Sequence, residues 1–356
     1  MGGAAAFPRV PEDLATDWLS EKVGGTVSSF ESEQIGIGVG LLGRLYRLKL
    51  TGDESAPSQV IAKFPTLDEG ARMNVIEPLR FYEKEVNFYK QDPDTIPVAT
   101  PEVFAAEFDP ATGDFVLLFE DCSGRRMEDQ IAGCSIADAE AAIDAMVPLH
   151  AHWWEGDFSS VPWLSAYNEP PYPQVLAAMF KQAWPRALEA FGDHLSETHL
   201  EYGERFVDLV PWFMEGATKA PLTFCHGDYR LDNLFFGTKP EHAPVTIVDW
   251  QIAFRGRGGY DLGYFVSQSL ATEDRRASEQ ALIERYRSAL AARGIDYPQD
   301  ELMTDYRRTL AWCFIYPVVS AGQIELTNER MRELILGILD RAVVAIDDTR
   351  ALDVLP

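Results

Sequence analysis

The sequence predicts an α+β fold with two lobes, an antiparallel N-lobe sheet with a helix and a mostly helical C-lobe. Two observations predict this class. Short segments with strand periodicity, bounded by glycine- and proline-rich turns, follow one another between residues 26 and 119. From residue 135 onward, apolar side chains mostly recur at helical spacing. The 356 residues are enough for two domains or one large domain with a sizeable core.

The N-terminal part is predicted to contain both strands and helices, with the strands in one antiparallel sheet. A helix is expected over 11–23, and a second helix over 80–90. Five strands are predicted at 26–34, 44–50, 60–64, 100–106 and 115–119. The last of these is a continuous apolar run, which indicates a buried strand.

The C-terminal part is predicted to be helical apart from one hairpin and two loops. Helices are expected at 135–150, 175–190, 196–210, 273–293, 299–320 and 328–347. A proline-rich loop over 158–173 and a flexible glycine-rich segment over 252–259 lie between them. Its aromatic residues, Trp163, Tyr167, Tyr172, Trp184 and Trp212, either line a lipophilic pocket or pack the core, and packing is favoured.

Composition restricts the class of partner. The net charge of −25 argues against nucleic acid or an anionic membrane as a partner. It is compatible with a cationic substrate, although a solvated acidic surface explains it as well. Four widely spaced cysteines indicate reduced, buried thiols of a cytoplasmic protein. The N-terminus lacks a secretory signal, and the longest apolar run is too short to span a bilayer.

One stretch, 224–251, combines the residue types that phosphoryl transfer needs. Asp228 lies in the sequence His-Gly-Asp, Asn233 follows five residues later, and Asp249 sixteen residues after that. A predicted hairpin, with strands at 234–236 and 245–248, would bring Asn233 and Asp249 together. Amide and carboxylate oxygens suit Mg²⁺ that is held mainly by substrate phosphates. Asp228 would then be free to accept a proton from a hydroxyl.

The sequence HGDYRLDN followed by IVDWQ resembles the aminoglycoside/choline phosphotransferase superfamily, closest to its ecdysteroid-kinase-like branch. Gly227 stands where protein kinases have arginine, and Trp250-Gln251 where they have Phe-Gly. The resemblance implies a protein-kinase-like fold with an N-lobe over 1–119, a hinge over 120–124 and a C-lobe over 125–356. It also implies ATP and Mg²⁺ as cofactors.

Three glycines, Gly38, Gly40 and Gly43, form a G-x-G-x-x-G pattern between two predicted strands. A dinucleotide-binding loop needs a helix directly after the last glycine, whereas a strand is predicted after Gly43, so a dinucleotide-binding site is disfavoured. The sequence also contains no P-loop motif. A plain hairpin turn and a kinase-type phosphate loop both remain open from the pattern alone. The resemblance implies the phosphate loop.

The resemblance also implies roles for residues that lie in or beside strands of the N-lobe. Lys63 corresponds to the lysine that contacts the α- and β-phosphates. It needs a carboxylate partner, and helical spacing places Glu85 inward, whereas the alternative, Glu83, points outward. Backbone groups at Glu120 and Cys122 would read the adenine edge.

In the catalytic stretch, Asp228 is the predicted base, and Asn233 and Asp249 are the predicted metal ligands. Arg230 either neutralises the transferred phosphoryl group or forms an ion pair with a carboxylate such as Asp232. Asp261 either caps a helix or, as the resemblance implies, hydrogen-bonds back to the backbone of the catalytic loop, residues 226–233.

Two histidines, His150 and His152, fall on different helix faces, which favours core or capping roles over a metal site.

A small-molecule kinase is the favoured function, with a hydroxyl on a steroid-like alcohol, aminoglycoside or choline-like compound as acceptor. The segment after Asp249 is short, and Asp-Trp-Gln stands in place of Asp-Phe-Gly, which together disfavour a protein kinase. A non-catalytic nucleotide-binding scaffold is the other alternative. It is disfavoured because base, metal ligands and lysine–glutamate pair are all present. The sequence does not distinguish ATP from GTP or indicate an oligomeric state.

Overall fold

The computed structural model describes residues 7–36, 42–323 and 329–356. The chain divides into two compact units. The first comprises Met1–Pro93, Thr100–Arg125 and Val248–Ile252, and the second comprises Asp94–Ala99, Arg126–Ile247 and Ala253–Pro356. A short segment around Asp249 therefore belongs to the first unit, although the second unit surrounds it in sequence.

The first unit is built on one antiparallel sheet. Its strands are β1 (Val27–Ile35), β2 (Gly43–Gly52), β3 (Gln59–Pro65), β4 (Val103–Asp109) and β5 (Asp114–Glu120), in the order β1-β2-β3-β5-β4. The predicted five-stranded sheet is thus confirmed. Gly38 and Gly40 lie outside the described residues, whereas Gly43 begins β2.

Among the described residues of this unit, the α-helices are α1 (Thr16–Val23), the one-turn α2 (Glu69–Ala71), which a π-helical turn over Arg72–Ile76 follows, and α3 (Phe81–Tyr89). Leu19 of α1 packs into a core with Leu48 and Phe64 of the sheet. The helix predicted over 11–23 begins only at Thr16, because the backbone at Leu14 and Ala15 is extended. The predicted helix over 80–90 is α3.

The second unit is mainly helical, as predicted. Its helices are α4 (Ile136–His152), α5 (Tyr172–Phe191), α6 (Glu197–Ala217), α7 (Gly259–Ser269), α8 (Thr272–Ala291), α9 (Gln299–Trp312), α10 (Ile315–Gln323) and α11 (Glu329–Thr349). Ser135 caps α4 by accepting a hydrogen bond from the backbone of Asp138. The single helix predicted over 299–320 is wrong, since α9 and α10 are separate. Pro317 explains the break, because its ring clashes with the carbonyl of Cys313 in a continuous helix.

Two small sheets lie within the helical unit. Strand β7 (Leu234–Phe236) pairs with β8 (Val245–Ile247) and forms the predicted hairpin. Strand β6 (Thr223–Cys225) pairs with β9 (Phe254–Gly256). The segment over 252–259 was predicted to be flexible, and this is wrong. It contains β9 and is mostly buried, because a strand about thirty residues earlier supplies its backbone hydrogen bonds.

Within the described parts of the chain, no helix has the length and apolar character needed to cross a bilayer. All four cysteines are buried and free, in agreement with the prediction of reduced thiols.

Candidate active site

A buried lysine of the first unit holds two carboxylates. Strand β3 places Lys63 so that its Nζ lies 2.7 and 2.8 Å from the two carboxylate oxygens of Glu85 on α3. The same Nζ lies 3.3 Å from Oδ1 of Asp249. Glu83 instead pairs with Arg80 near the surface. The predicted Lys63–Glu85 ion pair is therefore confirmed, and its role in phosphate binding stays a prediction.

The pKa values of two groups in this cluster, Lys63 and Glu85, are shifted. Burial lowers the pKa of Lys63, but attraction by Asp249 and Glu85 outweighs burial and leaves the pKa above its ordinary value. Lys63 is therefore a permanent cation. Burial raises the pKa of Glu85 to about 7, against the opposing effect of Lys63. Glu85 can thus change its charge near neutral pH.

Asp249 occupies an unusual backbone conformation. Its φ of 65° lies in the left-handed region, which aspartate tolerates better than most residues but which still carries strain. The next residue, Trp250, is fully buried and stacks on Phe88 of α3 at a centroid distance of 3.9 Å. This stacking anchors the segment, so the first unit holds the Asp249 carboxylate against Lys63.

Gly43 lies beside the same lysine. A Cβ atom built at this position would lie 3.2 Å from Cε of Lys63 and 3.3 Å from the carbonyl oxygen of Phe64. Any larger residue would therefore crowd the lysine. Its predicted part in covering phosphates remains a prediction.

In the predicted hinge, the acidic side chains accept hydrogen bonds from arginines. Arg125 donates to Oε1 of Glu120 at 2.7 Å and to Sγ of Cys122 at 3.2 Å. Asp121 accepts a hydrogen bond from Arg47 of β2 at 2.8 Å. Burial raises the pKa of Cys122 to about 11, so its thiol stays neutral. Any contact of Glu120 or Cys122 with a nucleotide through the backbone stays a prediction.

In the second unit, the carboxylate of Asp228 is held on both oxygens. Oδ1 accepts a hydrogen bond from the hydroxyl of Tyr264 at 2.8 Å, and Oδ2 accepts one from Nδ2 of Asn233 at 3.0 Å. Nε of Arg230 lies 3.2 Å from Oδ1. Gly227, just before the aspartate, has a φ of 85°, a conformation that suits glycine.

These neighbours keep Asp228 ionised. Burial raises the pKa of its carboxyl group, but the charge of Arg230 and the hydrogen bond from Tyr264 lower it further than burial raises it. The pKa therefore lies below its ordinary value. A carboxylate in this state can accept a proton or a hydrogen bond from an incoming hydroxyl.

Arg230 is engaged with two carboxylates. Its Nη1 lies 2.7 Å from Oδ2 of Asp232, in addition to the contact with Asp228. The ion pair with Asp232 that the sequence left open is thus present. The alternative role, contact with a transferred phosphoryl group, stays a prediction.

Asn233, a predicted metal ligand, contacts Asp228 through its side-chain nitrogen. Its Nδ2 donates to the backbone carbonyl of Asp228 at 2.8 Å as well as to the carboxylate. Among the residues that the structure describes, none donates a hydrogen bond to its Oδ1. The amide oxygen therefore remains available to a hard cation such as Mg²⁺.

Helix α7 fixes the backbone of the same loop. Asp261 accepts hydrogen bonds from the backbone N–H groups of His226 at 2.7 Å and Gly227 at 2.9 Å. Of the two roles that the sequence left open for Asp261, the contact with the loop is the one observed. Nε2 of His150 also lies 3.1 Å from Asp261, and its Nδ1 lies 2.7 Å from the hydroxyl of Tyr286.

Three buried side chains, those of His150, Cys225 and Asp261, have potential ligand atoms within 4.8 Å of one another. The ring nitrogens of His150 and the carboxylate oxygens of Asp261 already have hydrogen-bond partners. Burial holds the pKa of Cys225 well above its ordinary value, so its sulfur is a thiol. The cluster is therefore a hydrogen-bonded core network, in agreement with the structural role predicted for His150.

The aromatic residues proposed for an acceptor pocket mostly pack the core. Trp184 stacks on Phe180 at 5.6 Å, and Trp163 packs edge-on against Phe224 at 5.9 Å. Tyr167 stacks on Phe254 at 4.2 Å. The packing alternative thus accounts for these residues.

Sequence reasoning missed Tyr264 as a neighbour of the base. A signal was present, because Tyr264 lies three residues after Asp261 and therefore on the same helix face.

The fold matches solved structures of small-molecule kinases. Choline kinase from Cryptosporidium parvum Iowa II is 12% identical with a TM-score of 0.55, covering 97% of this chain and 95% of its own. Choline kinase LicA from Streptococcus pneumoniae is 13% identical with a TM-score of 0.55, and the match covers 93% of this chain and 98% of LicA. Amicoumacin kinase hAmiN, 9% identical, has a TM-score of 0.55 and covers 92% and 94%. At these identities the match shows the fold alone, and it is the predicted kinase-like fold.

The sequence itself matches the ecdysteroid kinase-like family over residues 39–294. The chain belongs to this family, which confirms the predicted branch. No curated protein matches the chain.

Proposed function

We propose that the protein is an ATP- and Mg²⁺-dependent phosphotransferase that phosphorylates a hydroxyl group of a small molecule. The observation that carries the proposal is the Asp228 carboxylate, which Tyr264, Asn233 and Arg230 hold ionised and oriented. Phosphoryl transfer needs little covalent help from the protein, so a well-placed base and fixed charges supply most of the catalysis.

In this proposal Asp228 orients the acceptor hydroxyl and takes its proton. The hydroxyl oxygen forms a bond to the γ-phosphorus of ATP, the bond from that phosphorus to the β–γ bridging oxygen breaks, and ADP leaves. The oxygens of Asn233 and Asp249 would hold Mg²⁺, which neutralises charge on the phosphates when bound. Arg230 would approach the transferred group on rearranging its ion pair with Asp232.

Residues of the first unit would bind the nucleotide. Lys63, fixed by Glu85, would hold the α- and β-phosphates. The glycines of the G-x-G-x-x-G pattern (Gly38, Gly40 and Gly43) would cover the phosphates, and the backbone at Glu120 and Cys122 would contact the base.

The relatives support this choice of donor and acceptor. Solved relatives with this fold carry AMP, in LicA, and AMP-PNP, in hAmiN, which favours an adenine nucleotide. The family is named for kinases of ecdysteroids, and the choline kinases act on another small alcohol. The short chain from Asp249 to α7 contains strand β9 and is mostly buried, which leaves little platform for a protein substrate. A steroid-like alcohol, an aminoglycoside and a choline-like compound are therefore the acceptors to test first.

A mass-spectrometric screen tests this proposal. The protein and Mg-ATP are incubated with a library of steroids, terpenoid alcohols, aminoglycosides and choline analogues. Asp228→Asn removes the proposed base, and Asp144→Asn makes the same change in an exposed ion pair with Arg285. We expect a phosphorylated product from the wild type and Asp144→Asn and none from Asp228→Asn. A product that forms equally with Asp228→Asn would overturn the proposed mechanism.

A further inference from the structure

Helix α7 contacts the catalytic loop at two points. Asp261 accepts the backbone hydrogen bonds of His226 and Gly227, and Tyr264 donates to the carboxylate of Asp228. Residues three apart lie on the same face of a helix, so one face of α7 reaches both the loop backbone and the side chain of the base. The backbone contact sets where the loop lies. The tyrosine contact sets how the carboxylate is turned.

The direction of the Tyr264 hydrogen bond is unambiguous. An ionised carboxylate can only accept, so the phenol must donate its proton. Tyr264 is only 4% exposed, and burial together with the charge of Asp228 holds the pKa of its hydroxyl well above the ordinary value. The phenol therefore remains a donor throughout the range in which a protein of this kind is active.

The ring of Tyr264 is held in place by other aromatic side chains. It stacks on Tyr316 of α10 at a centroid distance of 4.5 Å and an interplanar angle of 13°. The hydroxyl of Tyr316 hydrogen-bonds that of Tyr260, one turn before Tyr264 on α7, and Tyr260 accepts a hydrogen bond from Trp312 of α9 at 3.1 Å. The donor at Asp228 is thus fixed by three helices.

The helix that carries this tyrosine is itself closely packed. A Cβ atom at Gly263 would lie 2.9 Å from Cβ of Thr309 on α9, so the missing side chain allows α7 to approach α9. All residues of α7 are buried. The position of the Tyr264 hydroxyl is therefore determined by the core of the second unit and not by solvent.

We propose that Tyr264 is a positioning residue, which holds the Asp228 carboxylate at the angle required to receive the acceptor hydroxyl. The inference rests on the proposed function, because it concerns the same base. Tyr264 and Arg230 both contact Oδ1 of Asp228, and Asn233 contacts Oδ2. Arg230 also pairs with Asp232 and its side chain is 21% exposed, so the buried phenol is the more firmly held partner of Oδ1. Without the phenol the carboxylate can turn, and catalysis by orientation is sensitive to such small displacements.

The test compares two tyrosine substitutions. Tyr264→Phe removes the hydroxyl and keeps the stacking on Tyr316. The matched control is Tyr297→Phe, because the buried Tyr297 hydroxyl donates to a different carboxylate, that of Asp305, at 2.5 Å. Both variants lose one buried hydrogen bond to a carboxylate, so their unfolding temperatures should fall by similar amounts. Turnover of the acceptor found in the screen is then measured with Asp228→Asn alongside.

We expect Tyr264→Phe to lower kcat by about 10- to 100-fold, as loss of a hydrogen bond to a charged group implies, with the KM for ATP unchanged. Tyr297→Phe should keep kcat within about threefold of the wild type. The inference is overturned if Tyr264→Phe has wild-type kcat, or if both variants lose kcat equally. If Asp228→Asn itself turns over normally, the proposed role of Asp228 as the base fails and the inference fails with it. If Asp228→Asn is inactive while Tyr264→Phe is not impaired, only the inference fails.

Discussion

Asn233 donates its side-chain amide to two acceptors on one residue, the backbone carbonyl of Asp228 at 2.8 Å and its carboxylate at 3.0 Å. The five-residue spacing seen in the sequence thus closes the loop on itself. One end of the amide steadies the proposed base, and the other end, the oxygen, is left for a cation. A single side chain therefore connects the base with the proposed metal site.

We expect Asn233→Asp to impair both stability and turnover. The new carboxylate would face the carbonyl and carboxylate of Asp228 with no proton to donate, and loss of this buried hydrogen bonding costs about 1–3 kcal/mol. Thermal unfolding and a Mg²⁺ titration of turnover measure the two effects.

Asn74→Asp is the control for this change. The side chain of Asn74 is exposed and donates to the carbonyl of Gly70. We therefore expect Asn74→Asp to lower the free energy of unfolding by no more than about 0.5 kcal/mol. Equal unfolding temperatures for the two variants would contradict the proposed importance of the Asn233 amide.

Lys63→Met should destabilise the first unit. Removal of the lysine leaves the carboxylate of Glu85, which is 1% exposed, without its cation, and breaking a buried pair in this way costs about 3 kcal/mol. Nucleotide affinity should fall as well, since the proposed phosphate contact is lost. Urea unfolding and binding of an ATP analogue measure these changes.

The control for Lys63→Met is Lys49→Met, which makes the same change at an exposed position of β2. We expect its free energy of unfolding to stay within about 0.5 kcal/mol of the wild type. Wild-type stability in Lys63→Met would show that the cluster of carboxylates does not depend on this charge.

The pKa of Glu85 predicts a pH-dependent contribution to stability. In the folded chain it is about 7, above the ordinary value of 4.5, so the folded state binds this proton more tightly than the unfolded state. Stability from this group is therefore present below about pH 4.5 and is lost as the pH rises through about 7. Glu85→Gln cannot titrate at this position. As the pH rises from about 5 to about 8, its free energy of unfolding should therefore increase by about 2–3 kcal/mol relative to that of the wild type.

Urea unfolding at both pH values checks this prediction, with Glu83→Gln as the control on the same helix. Glu83 lies near the surface in an ion pair with Arg80, so the free energy of unfolding of Glu83→Gln should stay within about 1 kcal/mol of the wild type at each pH value. The prediction fails if the difference between Glu85→Gln and the wild type does not change with pH.

His150→Leu tests the network behind the catalytic loop. The change removes a buried partner from both Asp261 and Tyr286, at a cost of about 1–3 kcal/mol. Because Asp261 also holds the loop backbone, kcat should fall along with stability. His152→Leu, two residues later and exposed, should leave both nearly unchanged. Similar losses in the two variants would indicate a general helix effect.

The sequence by itself determined the features that depend on local order along the chain. Alternating side chains identify the strands of the first unit, and a Gly- and Pro-rich turn between two apolar runs identifies the β7–β8 hairpin. Helical spacing selects Glu85 over Glu83 as the partner of Lys63. Asp228 and Asn233, two residues of the proposed chemistry, lie five positions apart in one loop, so their spacing is set by the loop itself.

Only the tertiary structure decided which distant segments meet. Tyr264 reaches Asp228 across 36 positions, and His150 reaches Asp261 across 111. The left-handed backbone at Asp249 and the pairing of β6 with β9 likewise leave no mark in local composition. These features depend on how whole helices and strands pack, and packing is settled by the combined fit of many side chains that the pattern around any one residue does not contain.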